Sequence, residues 1–486
     1  MEKLFKKTFI DNSYNYSKKL VDSLNYSVSH YQAVELCSNN LKKAGFNYLN
    51  ESENWKLKPG HKYFFTRNQS ALIAFTVGSK INLNNTKFKI IGTHTDSPNL
   101  RLAPNCLKKN GLCEKLNLER YGGGQWQTWF DRDLSVCGKI LYNDENNNIK
   151  TKIVRINEPL FNIPSLAIHL VSGSNKPYDW NNETHLKAIM SMGLGIETEK
   201  EDNKDDINNE SKNKQTSKTS ELDKKLGSKL TELLSKNAGI NKEQLLDFDL
   251  VLYDVQPSTI FGVNNEFISS GRLDNLGSTL VANDAIIESS NNIENQDFIN
   301  VVAMFDNEEV GSTSFQGADN DLFAKTLERI FNTIETNSNN LNKDSFLTAV
   351  NKSFVISADL AHSTHPNYEE KHQSSHKVDM HSGVVIKINA MLRYATDKEG
   401  GYIIKDVCKK ANVPYVEFIV RQDSPCGSTI GPYLSSHLGI KTVDIGVGIW
   451  AMHSIRETGS AVDFYHYYLF MKEFFDDSRE SYNSGV

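Results

Sequence analysis

Two adjacent carboxylates, Glu308 and Glu309, follow directly on an apolar run, Asn300–Phe305 (NVVAMF). Neighbouring side chains at a strand end point in different directions. One carboxylate can therefore bind a cation while the other stays free to take a proton from water. A solvated acidic turn would also pair two glutamates, but an apolar strand running straight into them favours a built site. Four other segments repeat the arrangement. His94-Thr95-Asp96 follows Lys87–Thr93 (KFKIIGT), Asp359 and His362 follow Ser353–Ser357 (SFVIS), His453 follows VDIGVGIWAM, and Asp274 sits in GRLDN before a helical pattern. Any one of these is commonly a helix cap or a loop hydrogen-bonder; five together are hard to explain that way. Histidines with several carboxylates and no cysteine suit zinc, cobalt or manganese, with oxygens able to bridge two ions. Asp96, two residues beyond His94, can accept the other ring N–H of a metal-binding imidazole and fix its tautomer.

The elements that must position these residues are short buried strands. Besides the three runs already named, Val384–Asn389 (VVIKIN), Val416–Val420 (VEFIV) and Lys441–Gly446 (KTVDIG) read as strands. Helical patterns lie between several of them, at Leu276–Ser289, Phe323–Thr336 and Ala461–Asp476. Strands alternating with helices predict an α/β fold, a sheet flanked by helices, and ligands bind such sheets outside the carboxyl ends of the strands. A further β-rich stretch runs from about Cys106 to Asp254 and includes KIVRI and SLAIHLV. In the latter, strand alternation would put Leu166, Ile168 and Leu170 on one face and His169 on the other. Lys387 stands inside an apolar strand, where a lysine is costly unless it reaches an anion.

Other motifs are weaker. Tyr121-Gly122-Gly123-Gly124 lacks the spacing and the lysine of a phosphate loop and reads as a tight turn or a close backbone approach. Cys426, in SPCGST, has no nucleophile-elbow setting, and His372, His376 and His381 read as a solvated polar loop. The 486 residues suggest two domains, and a net charge of -6 argues against nucleic acid as the main partner. Six cysteines without a C-x-x-C pair suggest free thiols in a reducing compartment. No signal-peptide h-region and no apolar run of membrane-spanning length is visible, so the expected location is cytoplasmic, without a membrane partner. The segment 197–225 is nearly free of apolar residues and is expected to be a disordered loop.

Taken together, GTHTDSP, YGGGQWQTWFDRDLSVCGK, IPSLAIHL, EFISSGRLDNLGS, FDNEEVGSTSFQGA, ISADLAHSTHPNYEEKH, VVIKINAMLRYATD, VRQDSPCGSTIGP and AMHSIRE resemble, in order, the motifs of the aspartyl aminopeptidases, a family of metallopeptidases. The resemblance implies two divalent ions per subunit, zinc foremost, held by His94, Asp274, Glu309, Asp359 and His453, with Asp274 bridging. It implies Glu308 as general base and Asp96 as the partner of His94. It implies that His362, Lys387 and Tyr394 hold the acidic side chain of a peptide substrate, and that His169 reaches the active site of a neighbouring subunit. The implied architecture is a catalytic α/β domain (1–105 and 255–486) interrupted by a β-rich oligomerisation domain (106–254), assembled as a homododecamer. The chain departs from the family pattern in the polar 197–225 segment and at Gly277, where a bulkier residue is common. Two rivals remain. A two-metal deacylase or broad aminopeptidase on the same scaffold would not need a cation at Lys387. A non-catalytic assembly protein usually loses ligands or base, and here none is missing.

Overall fold

The computed structural model describes residues 2–171, 180–193, 220–335 and 342–483. The chain divides into two compact units, one of Met1–Pro98, Gly122–Gln125 and Pro257–Val486, the other of Asn99–Tyr121 and Trp126–Gln256.

The first unit is built on a nine-stranded mixed sheet. Its order is Asn47–Tyr48, His61–Arg67, Ala71–Val77, Ile299–Phe305, Phe88–His94, Phe354–Ala358, Thr442–Gly446, Val384–Lys387, Tyr415–Phe418. The central four strands from Ile299–Phe305 to Thr442–Gly446 are parallel and wholly buried, as strands covered on both faces must be. Their side chains alternate between two cores. Ile91, Val302 and Ile356 pack with helices Leu273–Ser289 and Ala461–Asp476, through Leu276, Leu280, Phe464 and Phe470. Ile90, Val301 and Val355 face the other way, onto Phe323, Leu327 and Ile330 of helix Leu322–Thr333 and Leu434 of helix Gly431–Leu438. All six expected strands and all three expected helices of this unit are present within a few residues of their anticipated ends. The helix after GRLDN has non-helical backbone at Asp274 and Asn275, so its regular part begins at Leu276. Gly277 has a packing reason: a Cβ there would stand 2.7 Å from the ring of Phe464. A smaller sheet of the same unit, ordered Thr259–Phe261, Phe267–Ser270, Glu457–Ser460, Gly448–Trp450, Ala361–His362, pairs His362 with Ile449.

The second unit is a six-stranded antiparallel sheet in the order Ile149–Arg155, Leu134–Asn143, Leu245–Asp254, Asn99–Asn110, Cys113–Tyr121, Lys187–Met192, with helices Glu221–Leu226 and Ser228–Ala238. Two expectations are corrected here. SLAIHLV is not a strand. Ile168–Leu170 forms a single 3-10 turn, and Leu166, Ile168 and Leu170 are 64%, 78% and 69% exposed. Its alternating apolar pattern finds no partner strand among the described residues, and without a ladder the pattern alone does not make a strand. The last residues of the segment expected as a loop over 197–225 are helical: Ser220 and Asp223 form a capping box that starts a helix at Glu221, with Leu222 and Leu226 buried. Residues 197–219 lie outside the described residues. All six cysteines are free, and no described helix is long and apolar enough to cross a membrane.

Candidate metal centre

Register decides what meets at the sheet's carboxyl edge. Phe305 pairs with His94, Ser357 with Gly92, and Ala358 with Ile445. The segments leaving these strands therefore emerge side by side. His94 is the last residue of its strand, Asp359 the first after its own, and Glu308–Val310 is a 3-10 turn beyond Phe305. Asn307, which turns the chain into that 3-10 segment, and His453 both have left-handed backbone, at φ 64 and 66. Such strained positions in non-glycine residues cluster at functional sites.

Asp274 lies between two donor groups. Its Oδ1 is 3.6 Å from His94 Nε2, and Asp359 Oδ1 is also 3.6 Å from that nitrogen. Its Oδ2 is 3.4 Å from His453 Nε2, and Glu309 Oε1 is 3.4 Å from the same atom. His94–Asp274–Asp359 and Asp274–Glu309–His453 each bring three donor atoms within 4.8 Å of one another. Glu308 Oε2 stands 4.0 Å from His94 Nε2. Asp274 Oδ1 and Glu309 Oε1 are buried without a hydrogen bond. Buried carboxylate oxygens left in this state are expensive unless a cation satisfies them. The nitrogen and oxygen donors suit zinc-type ions, so the residues present fit a divalent metal centre.

A second layer holds these side chains. His94 Nδ1 is 3.0 Å from the backbone carbonyl of Asp96 and 3.4 Å from its carboxylate. That carboxylate also accepts the backbone N–H groups of Glu308 and Glu309, both at 3.1 Å, so it pins the turn that carries the glutamate pair. Glu457, which sequence reasoning left without a role, accepts the N–H of His453 at 2.8 Å and of Asp274 at 3.1 Å. The signal for it was its place in AMHSIRE, four residues after a histidine. Gly123 was also missed: its carbonyl stands 3.0 Å from His453 Nδ1, which turns Nε2 toward Asp274. The glycine turn is a close approach, since a Cβ on Gly122 (φ +77) would meet Glu309 Cβ at 3.1 Å.

The electrostatics follow from burial and crowding. Burial pushes the Glu308 carboxyl up to about 8; His94 opposes the rise, and Asp359, Asp96 and Asp274 add to it. Burial likewise raises Glu309 well above the usual carboxylate range, against the pull of His453. Burial alone would lower both histidines, but their carboxylate neighbours win. Asp274, Asp359 and Asp96 hold His94 well above its ordinary value, and Asp274 and Glu309 bring His453 to about 10. Asp274 is itself held low by those two histidines, despite its burial. Burial and then the charge of Asp274 push Glu457 up to about 8.

A cavity of about 430 Å³ opens on this cluster, and His362, Lys387, Arg393, Tyr394 and Phe418 share its lining with the cluster residues. Lys387 is 3% exposed, with Nζ 3.6 Å from Asp359 Oδ2. The His362 ring is open to the cavity yet surrounded by protein, and burial, followed by the charge of Lys387, lowers its pKa. His169 belongs to the second unit, in its exposed turn. His372, His376 and His381 form no shared donor group among the described residues: His372 accepts from the His365 N–H, His376 faces Gln373, and His381 faces Ser460.

Histidines and carboxylates converging at the carboxyl edge of an α/β sheet, beside a cavity and a further buried glutamate, define a site of the metallohydrolase class. The chain belongs to the M18 peptidases, described as aminopeptidase I zinc metalloproteases, whose family model matches residues 23–475. It is 40% identical over 475 residues to a probable aspartyl aminopeptidase of Ricinus communis, a match spanning 94% of both chains. It is 40% identical to an aspartyl aminopeptidase of Dictyostelium discoideum over 95% of this chain and 96% of that one. Among solved structures it resembles a chain of the cryo-EM structure of the Ape4 and Nbr1 complex, with a TM-score of 0.86 and 36% identity over 96% of this chain and 86% of that one. It also resembles a chain of the Saccharomyces cerevisiae mApe1 dodecamer, with a TM-score of 0.79 and 26% identity over 96% and 97%.

Proposed function

We propose that this chain is an aspartyl aminopeptidase that removes an N-terminal Asp or Glu from peptides with two divalent ions, most simply zinc. The observation that carries the reading is the split of Asp274, one oxygen toward His94 and Asp359 and the other toward His453 and Glu309. His94, Asp274 and Asp359 would hold one ion and Asp274, Glu309 and His453 the other. Ions held there would supply Lewis acidity toward the scissile carbonyl and the attacking water. Glu308, beside both groups, takes the proton from that water and returns it to the leaving amine. Asp96 keeps Glu308 and Glu309 in place through their backbone N–H groups. Lys387, His362 and Tyr394, on the cavity wall, receive the acidic side chain.

Assembly is part of the reading. The active form is a homo-oligomer, as is the mApe1 structure this chain resembles, and His169 completes a neighbouring subunit's site. Leu166, Ile168 and Leu170 support this, because a run of apolar side chains this exposed is commonly a contact surface. The second unit would supply that contact, and the enzyme would work in the cytoplasm. The test is a panel of aminoacyl reporters assayed before and after chelation. Asp and Glu reporters should be cleaved preferentially, and activity should vanish with chelator and return with zinc. Preference for Leu or Ala, or chelator-resistant turnover, would refute the reading.

A further inference from the structure

The cavity's supply of positive charge does not match the task of holding an acidic side chain with Lys387 alone. Among the described residues, Lys387 and Arg393 are the only lysine and arginine on its lining. Lys387 is buried, and its ammonium already faces Asp359 at 3.6 Å. A close Lys–Asp pair acts on a third charge as a dipole, whose field falls off faster than that of a net charge. Among the described residues Arg393 has no ion pair. Its one side-chain hydrogen bond among the described residues runs from Nε to the backbone carbonyl of Cys426, at 3.3 Å. Among the described residues both terminal amino groups of this exposed side chain are thus left without a protein partner, on a residue that lines the cavity. A guanidinium is always charged, and its planar fork matches the two oxygens of a carboxylate.

The backbone around it is fixed rather than loose. The Arg393 carbonyl accepts from Ser428 Oγ at 3.2 Å. The Ala395 N–H donates to the fully buried Asp444 at 2.6 Å, and Thr429 Oγ1 donates to the same carboxylate at 2.5 Å. Tyr394, between the two anchored residues, is 6% exposed. The loop thus presents the guanidinium from a braced position, which limits the entropy lost on engaging a ligand.

We propose that Arg393 is a specificity-determining residue of this site, donating a forked pair of hydrogen bonds to the side-chain carboxylate of an N-terminal Asp or Glu. The proposal rests on the aminopeptidase reading, and its test separates the two. Wild type, Arg393→Met and Arg393→Lys are compared by kcat/KM on Asp, Glu, Ala and Leu reporters, with circular dichroism and metal content as controls. In Arg393→Met the acidic-to-neutral ratio falls at least about 10- to 100-fold, since each of the two charged hydrogen bonds is worth about that much, chiefly through KM. Arg393→Lys restores part of the ratio, because charge returns without the fork. The second readout is binding: in a Glu308→Gln background, Arg393→Met weakens an Asp-headed peptide more than the Ala-headed one. A wild type that prefers acidic reporters together with unchanged ratios and affinities in Arg393→Met overturns the role of Arg393 alone. A wild type without acidic preference overturns both readings.

Discussion

Replacing Asp96 by Asn separates two tasks that this carboxylate can perform. Asp96 is fully buried and takes the N–H of Glu308 on one oxygen and that of Glu309 on the other, both at 3.1 Å. An asparagine amide offers one oxygen and one NH2 group. Whichever way it sits, one backbone N–H of the glutamate turn then faces a second donor. The loss of a charged hydrogen bond and the stranded donor together cost about 1.5–3 kcal/mol. At roughly 2–4 °C per kcal/mol, the melting temperature falls by several degrees. Glu308 moves with the turn, and a displacement of about 1 Å can cost on the order of 10²-fold in rate. His94 behaves differently. Its Nδ1 is nearer the backbone carbonyl of residue 96, at 3.0 Å, than the carboxylate, at 3.4 Å. The carbonyl survives the substitution and keeps the tautomer. Asp96→Asn should therefore lose kcat and stability while losing less metal affinity than the roughly 10–100-fold expected when a histidine's orienting partner is removed. The assays are kcat on an Asp reporter, thermal melting, and zinc titration against a competing chelator. Near wild-type kcat and melting with a large loss of zinc affinity would refute the reasoning, because the carboxylate would then act through His94.

Glu308→Gln should keep both ions and the fold and lower kcat by roughly 10²–10⁴-fold, whereas Glu309→Gln should release metal; equal metal loss in the two variants would contradict the assignment. Lys387→Met should reduce turnover of Asp and Glu reporters far more than of Ala or Leu reporters, and a constant ratio would dismiss it as a specificity residue. Mixing inactive Glu308→Gln with inactive His169→Ala subunits under exchange conditions should restore activity, since some sites regain both residues; silence despite proven exchange, or full activity in an isolated monomer, would rule out a role in trans.

The strands were legible because buried parallel strands are short apolar runs, and KFKIIGT, NVVAMF and SFVIS are little else. Most donors were legible because they sit within a few residues of such a run, and Asp274 because it stands just before a helical pattern. Residues that act through backbone atoms were not. Gly123 contributes a carbonyl, and no side-chain pattern announces which carbonyl will meet His453. Glu457 acts on the N–H groups of His453 and Asp274, the second 183 positions away, a relation that only the fold creates. Asp96 was read from spacing as the partner of His94, but spacing cannot reveal that Glu308 and Glu309, 212 and 213 residues on, donate to the same carboxylate. SLAIHLV misled because alternation states which faces a strand would have, not whether a partner strand exists to make it one. Arg393 is an exposed loop residue beside Tyr394, and only the cavity lining marks it out.

Metal ions and protons compete for the same atoms in this cluster, and the competition can be measured. His453 stands at about 10 and His94 well above its ordinary value, each raised by carboxylates against the opposing effect of burial. Both shifts favour the protonated imidazole in the metal-stripped cluster. A histidine binds a metal only after losing that proton. Loading both positions at pH 7 should thus release protons from the imidazoles, and further ones if Glu308, at about 8, or Glu309 loses its own. The sign is fixed: raised ligand pKa values mean that affinity falls as pH is lowered and rises with pH toward about 10, where His453 no longer needs to be stripped. Calorimetric zinc titration of the stripped protein in buffers of different ionisation enthalpy counts the protons directly. Zinc binding without proton release at pH 7 would mean that the imidazoles are already neutral. In that case the carboxylates around His94 and His453 would not be setting their charge, and the electrostatic account of the cluster would fail.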